Sequence, residues 1–277
     1  MNSPVNISTS QPINQSTNQL INYTLHLADN TLILAQQNGA WCGHGPVLEQ
    51  DIAITNISLD LLGQARNFYQ YAAELINQST NQPVTQLTKQ LATEDTLAYL
   101  RDNREFKNCL LVEQDNGDWG KTILRQFFFS NYQYLLYEKM QYSNDEQLAA
   151  IAGKALKEVT YHLRWSSEWV IRLGDGTVES HEHIDTAVNE LWPYTDELFI
   201  NADYETELLH TNIATDVTAL KKPWQEKTAA IFTEATLPFP GNVFMKKGGK
   251  HGIHTERLGY ILAEMQFLQR AYPNSIW

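Results

Sequence analysis

Residues 143–174 read SNDEQLAAIAGKALKEVTYHLRWSSEWVIRLG, and this stretch decides the fold class. Ser143 with Glu146 three positions on forms a capping box, in which each side chain satisfies a backbone N–H that the first helical turn leaves free. Leu148, Ala152, Ala155, Val159, His162, Ser166, Trp169 and Leu173 then recur every three or four residues, which stacks them on one side of a helix. Gly174 supplies the stop. The spacing predicts one amphipathic helix of roughly eight turns.

A second helix is predicted from Pro46, a residue suited to a first helical turn, to about Ile76. It carries two apolar faces, Leu48, Ile52, Leu59, Leu62 and Tyr69 on one and Ile54, Ile57, Leu61, Phe68 and Leu75 on another, so the expectation is cover on more than one side. Between them runs a polar line, Glu49, Asn56, Asp60, Gly63 and Asn67, which needs partners if buried. Further helices are expected at about 20–38, 94–107, 119–141, 181–200, 224–235 and 254–271, and no run shows the strict alternation of a strand. The aromatics of 119–141 read as core or subunit interface. Two hairpins, 20–76 and 119–173, separated by a long connection describe an all-α, ferritin-like four-helix bundle with one crossover and additional C-terminal helices.

The 277 residues are 43% apolar and carry 32 acids against 20 bases, a net charge of -12. That charge repels phosphate backbones and anionic membranes, which argues against nucleic-acid and membrane partners. Cys42 and Cys109 match neither a zinc spacing nor a disulfide framework, and the polar start lacks the basic and apolar regions of a secretory signal. The expectation is a cytoplasmic protein with reduced thiols. The heptapeptide INQSTNQ occurs at 13–19 and again at 76–82 and is too polar to bury a core. It suggests a mobile tail over 1–19 and a mobile loop near 77–92 in a single domain, 20–277.

A di-iron centre in such a bundle needs a Glu from each of two helices and a Glu-x-x-His from each of the other two, because carboxylates bridge hard ions and an imidazole three residues on shares the helix face. No Glu-x-x-His occurs. The nearest approach is Glu158 with Tyr161 in the histidine position and His162 one residue later. The second helix offers Asp60 with Gly63, which has no ligand atom, and the first helix offers Asp29. The expectation is a degenerate, metal-free site closed by a polar or salt-bridged plug, with Lys154, Lys157, Arg66 and a His162–Glu158 pair as its compensating groups. Gly117-Asp-Trp-Gly-Lys-Thr122 resembles the end of a phosphate loop but lacks the first glycine and a preceding strand. Ten acids and no Lys or Arg lie between Asp175 and Glu207, whereas Lys246, Lys247, Lys250, His251 and His254 cluster near the C-terminus. Opposite patches of this kind suit partner docking, and the glycine-rich basic loop could receive a coenzyme A phosphate.

With Trp41-Cys-Gly-His-Gly-Pro46, Leu59-Asp-Leu-Leu-Gly-Gln-Ala-Arg66, Leu110-Leu-Val-Glu-Gln114, Lys157-Glu158, Tyr161-His-Leu-Arg164, His254-Thr-Glu256 and Ala263-Glu-Met-Gln266 in view, the chain resembles the PaaC family over about residues 20–277. That family is the non-catalytic ferritin-like subunit of the phenylacetyl-CoA oxygenase, or 1,2-epoxidase. The resemblance implies a cytoplasmic subunit with no cofactor of its own, pairing with a catalytic ferritin-like sister that holds the di-iron site. It also implies the other oxygenase components, a reductase carrying FAD and an iron-sulfur cluster, and phenylacetyl-CoA as substrate of the complex. Two other readings stay open at this point: an independently active di-iron oxygenase using Asp29, Asp60, Glu158 and His162, and a coenzyme A thioester-binding module using Lys246, Lys247 and Lys250.

Overall fold

The computed structural model describes residues 15–79, 91–273 and 275, and among them there is no strand. The helices are α1 (Gln15–Gly39), α2 (Leu48–Ser79), α3 (Glu94–Tyr99), α4 (Trp119–Met140), α5 (Glu146–Gly174), α6 (Val178–Leu191), α7 (Asp203–Leu209), α8 (Lys221–Glu234), α9 (Glu256–Met265) and α10 (Phe267–Ala271). The chain folds as the expected all-α, ferritin-like bundle: α1 packs along α2, α4 along α5, and α2 meets α5 across the two hairpins.

The local signals differ in detail. Asp145, not Ser143, caps α5 by accepting from the Leu148 N–H at 2.9 Å, and the Ser143 hydroxyl instead donates to the Ile213 carbonyl at 2.8 Å. The 94–107 segment stops as an α-helix at Tyr99, the 181–200 segment is α-helical only to Leu191 and continues as 3-10 turns over Trp192–Tyr194 and Asp196–Phe199, and the short α7 has no counterpart among the predicted helices. Gln15–Gln19 form the first turns of α1, and Ile76–Ser79 complete α2, so the polar heptapeptide continues a helix wherever it is described. The Ser79 hydroxyl caps its own last turn on the Leu75 and Ile76 carbonyls. Residues 1–14 and 80–90, on which most of the tail and loop expectation falls, lie outside the described residues. The α4 aromatics Phe127, Phe128, Phe129, Tyr132 and Tyr137 are buried, as core.

Helix α2 corrects an expectation. Ile54, Ile57, Leu61 and Phe68 face the core, but of the other predicted face only Tyr69 is buried, while Leu48, Ile52, Leu59 and Leu62 are exposed, so within this chain only one apolar face is covered along its length. The polar line between them is correspondingly half-buried to exposed.

Helix α1 is buried on nearly every side, polar residues included. Its polar side chains bond the irregular crossover 100–118, whose backbone cannot satisfy itself. The Asn30 carbonyl oxygen accepts from the Cys109 N–H at 2.8 Å, and the Gln37 amide donates to the Gln114 carbonyl at 2.7 Å. His26 Nδ1 lies 2.7 Å from the Lys107 carbonyl, which can only accept, so the neutral ring carries its proton on Nδ1. Burial, and then the Lys250 ammonium, push the His26 imidazole down to about 4. At the far end Trp41, Trp165 and Trp169 stand edge-on to Trp119, and Gln50 Oε1 accepts from the Trp165 and Trp169 indoles at 3.1 and 2.7 Å.

A pH prediction follows from His26. Its folded value lies below the ordinary 6.5, so between pH 6.5 and about 4 the unfolded chain binds a proton that the folded chain refuses. Stability therefore falls as pH drops through that window. Urea unfolding at several pH values should show this slope in the wild type and a flatter one in His26→Gln; equal slopes would contradict it.

Candidate functional site

The positions at which a ferritin-like bundle holds metal fall into two separate polar groups. Asp29, on α1, is fully buried. It accepts from the Tyr69 hydroxyl at 2.5 Å, from the Lys107 N–H at 2.8 Å, from Arg101 Nη1 at 3.1 Å and from Arg101 Nη2. The Arg101 guanidinium thus stands where a cation would be required. Burial opposes its charge, but Asp29, Tyr69 and Glu105 together outweigh burial and raise its pKa. Burial, and then the same carboxylate, raise the Tyr69 phenol well above its usual value, so it remains a donor.

The second group ties the hairpins together. His162 Nε2 is 3.0 Å from Asp60 Oδ2 and donates to it. The other ring nitrogen is buried without a partner. The Gln64 amide donates to Glu158 Oε2 at 2.9 Å, and its carbonyl oxygen accepts from the Gln133 amide at 3.0 Å and the Tyr137 hydroxyl at 3.4 Å. Farther along, the Tyr71 hydroxyl donates to Asp145 at 2.5 Å. From Gln50 through Asp60 and Gln64 to Tyr71, α2 numbers rise as their α5 partners fall from Trp169 to Asp145, which makes an antiparallel ladder of side-chain bonds. A cleft of about 290 Å³ opens over its middle, lined by Asp60, Gly63, Asn67, Lys154 and Glu158.

The expected pairings change accordingly. His162 reaches across to Asp60 instead of pairing with Glu158 on its own helix, Glu158 is held by a neutral amide, and Arg66 bonds Glu94 at 3.4 Å. Tyr161 points outward, with the Arg164 guanidinium 5.9 Å from its ring centre. Gln64, Gln133, Tyr137 and Arg101 escaped the sequence reading. The Gln133–Tyr137 pair was visible as an i, i+4 spacing on α4, while Arg101 was hidden by the assumption that 94–107 is one helix. Among the described residues no three His, Cys, Asp or Glu side chains are arranged to hold a metal ion. The donor set does not fit a pair of ions: Asp29 is engaged by a guanidinium, and Gly63 contributes no atom.

The basic loop is also corrected. Lys250 is buried and pairs with buried Glu205 at 2.8 Å. Burial alone would push Lys250 down and Glu205 up, but their mutual attraction, with Glu197 acting on Lys250 and the Ala202 N–H on Glu205, outweighs it, so Lys250 is raised and Glu205 lowered. The His254 ring bonds Glu113 at 2.8 Å and the Phe106 carbonyl at 2.9 Å, and Glu113 holds its pKa above the ordinary value against burial. The N–H groups that would cradle a phosphate already hold carboxylates. Gly248 N–H donates to Glu197 at 2.7 Å, and Thr255 N–H, at the start of α9, donates to Glu113 at 2.7 Å. Lys246, Lys247 and His251 remain exposed, with Lys246 Nζ 2.9 Å from the Tyr194 hydroxyl. Part of the charge complementarity seen in the sequence therefore closes inside the chain.

Two antiparallel hairpins joined by a crossover, with Asp60 bonded to His162, Glu158 to Gln64 and Asp29 to Arg101, define a ferritin-like protein whose candidate donor positions are engaged by other groups of the same chain. The chain belongs to the phenylacetic acid catabolic protein family, whose model matches residues 5–277. It is 48% identical over 255 residues to the C subunit of the 1,2-phenylacetyl-CoA epoxidase of Escherichia coli (strain K12), covering 92% of this chain and 98% of that protein. No helix among the described residues is long and apolar enough to cross a membrane.

Arg101→Met leaves the Asp29 carboxylate buried without its cation and should lower unfolding free energy by about 3–5 kcal/mol. In the basic loop, Lys246→Glu with Lys247→Glu should change it by less than about 0.5 kcal/mol. Lys250→Met should cost several-fold more, because it strands Glu205. Urea denaturation compares all three, and equal effects for the exposed and buried lysines would refute this division.

Proposed function

We propose that this chain is a structural subunit of a phenylacetyl-CoA 1,2-epoxidase, acting in the cytoplasm in aerobic phenylacetate breakdown and not itself catalytic. Its relative's name supplies the complex, and the α2–α5 ladder supplies the role. In that ladder the groups that would bind and activate a metal-held oxidant are used to hold one another. Asp60 accepts from His162 and Glu158 from Gln64, so these side chains serve to join the hairpins, and no group of three His, Cys, Asp or Glu among the described residues is arranged to hold a metal. Oxygen activation then falls to a catalytic sister subunit of the same fold carrying two irons, fed with electrons by a reductase with FAD and an iron-sulfur cluster. What this chain contributes is a bundle rigid enough to stabilise that sister.

The readings as an independent oxygenase and as a thioester-binding module find less support, because the first lacks a ligand set and the second loses Lys250 and the loop N–H groups to internal carboxylates.

Iron content and epoxidation separate these readings. Asp60→Asn with Glu158→Gln keeps the shape of the cleft but removes both charges. In the complex assembled with the cognate subunits, the variant is expected to match the wild type in iron per catalytic subunit and in turnover of phenylacetyl-CoA. The purified chain alone is expected to carry no stoichiometric iron. Two irons in the isolated chain, lost in the variant together with activity, would replace the structural role with a catalytic one.

A further inference from the structure

The outward side of α2 has no function in the bundle, yet its composition is not that of a solvated face. Leu48, Ile52, Leu59 and Leu62 are 71%, 52%, 59% and 44% exposed. With Thr55 and Arg66 they fall at steps of four, three, four, three and four, the repeat of a seam that receives a second helix. A narrow stripe of this spacing, set on a helix whose core face is already satisfied, is an interhelical contact without its other half. Isolated surface leucines need no explanation, but a row of four large apolar side chains in register along one helix does.

The neighbouring rim adds charge. On α5 the exposed residues Lys154, Lys157, Tyr161 and Arg164 recur at three and four, so three cations follow one line. Among the described residues Lys154 and Lys157 form no salt bridge. Leu59 and Lys154 line the same cleft, which places the apolar seam and the basic row on opposite edges of one groove. Asp60 and Glu158, half-buried between the rows, are already bonded to His162 and Gln64, whereas the exposed cations along the edge have the complement of an amphipathic helix edged with Asp and Glu. Gly63 opens onto free space between the two rows, where an added Cβ would meet nothing within 4 Å, so a second backbone can come close there.

We propose that the α2–α5 groove is the surface on which the catalytic sister subunit docks, through a helix that sets apolar side chains on Leu59 and Leu62 and carboxylates on Lys154 and Lys157. This rests on the reading of the chain as a subunit of the epoxidase and names the surface through which it serves. The helix packs at a shallow angle along α2, and the lysines set its register.

The test uses the full chain and its cognate catalytic partner, with affinity measured by titration calorimetry and association by stopped flow. Leu59→Glu with Leu62→Glu alters only exposed side chains, so circular dichroism and melting should match the wild type while affinity falls by at least about 30-fold, as when a buried apolar anchor is lost. Lys154→Glu with Lys157→Glu should slow association about tenfold and flatten its salt dependence. Phe244→Glu, at a still more exposed apolar residue away from the groove, should leave affinity unchanged. Wild-type affinity in the leucine variant would overturn the proposal while leaving the subunit reading intact. A wild-type chain that binds no cognate partner would overturn both. Sedimentation of the chain alone gives a further outcome: a homodimer that the leucine variant dissolves would assign the groove to a second copy and overturn the proposal.

Discussion

Gln64 is the point on which the joining of the two hairpins turns. A carboxylate only accepts hydrogen bonds, so two carboxylates facing one another need a cation, a proton or a metal between them. An amide carries donor and acceptor together. From α2, Gln64 gives a hydrogen to Glu158 on α5 and takes one from Gln133 on α4, so three helices are linked with no cation between them. Once that link exists, Asp60 can reach His162 and Tyr71 can reach Asp145 in the same antiparallel register. The cleft above the ladder is what remains where those side chains turn inward.

The same economy governs the rest of the polar interior. Asp29 is neutralised by Arg101, Glu205 by Lys250, and Glu113 bonds the imidazole of His254. Each partner comes from a segment outside the four long helices, either the crossover or the C-terminal loop. Asp29 and Arg101 thus fasten the crossover to the bundle, and the other two pairs fasten α7 and the crossover to the C-terminal loop, where apolar periodicity has no hold. Removing one member of such a pair is costly because the other is left charged and dry.

How much of this was legible in the sequence follows from the range of the interactions involved. Helix α5 was readable because Leu148, Ala152, Ala155, Val159, His162 and Ser166 record a local repeat, and all six are buried. The aromatic core of α4 and the hairpin-crossover-hairpin layout were readable for the same reason. Helix α7 was missed because seven residues are too few for periodicity to show, and 94–107 was overextended because the turn toward Arg101 is imposed by Asp29, more than seventy residues away in the chain. The basic loop was misread because nothing near Lys250 in sequence announces Glu205. For α2, the pattern revealed two apolar faces, but not that Leu48, Ile52, Leu59 and Leu62 lie outside the bundle while Tyr69, grouped with them, turns in to Asp29.

The distance in sequence between these partners bears on how the chain is made. Glu113, Glu197 and Glu205 leave the ribosome well before residues 248–255, which hold them. Until that loop emerges, three carboxylates destined for the interior have no counter-charge, and the favourable choice for each is to stay in water. The hairpins can form as they are synthesised, but the crossover and α7 close over the bundle only near the end of translation. The glycines of the loop set the tolerance of that last step. A Cβ on Gly249 would lie 2.2 Å from the Asn108 carbonyl oxygen, so the late-arriving strap seats only if it is bare backbone at the point of contact.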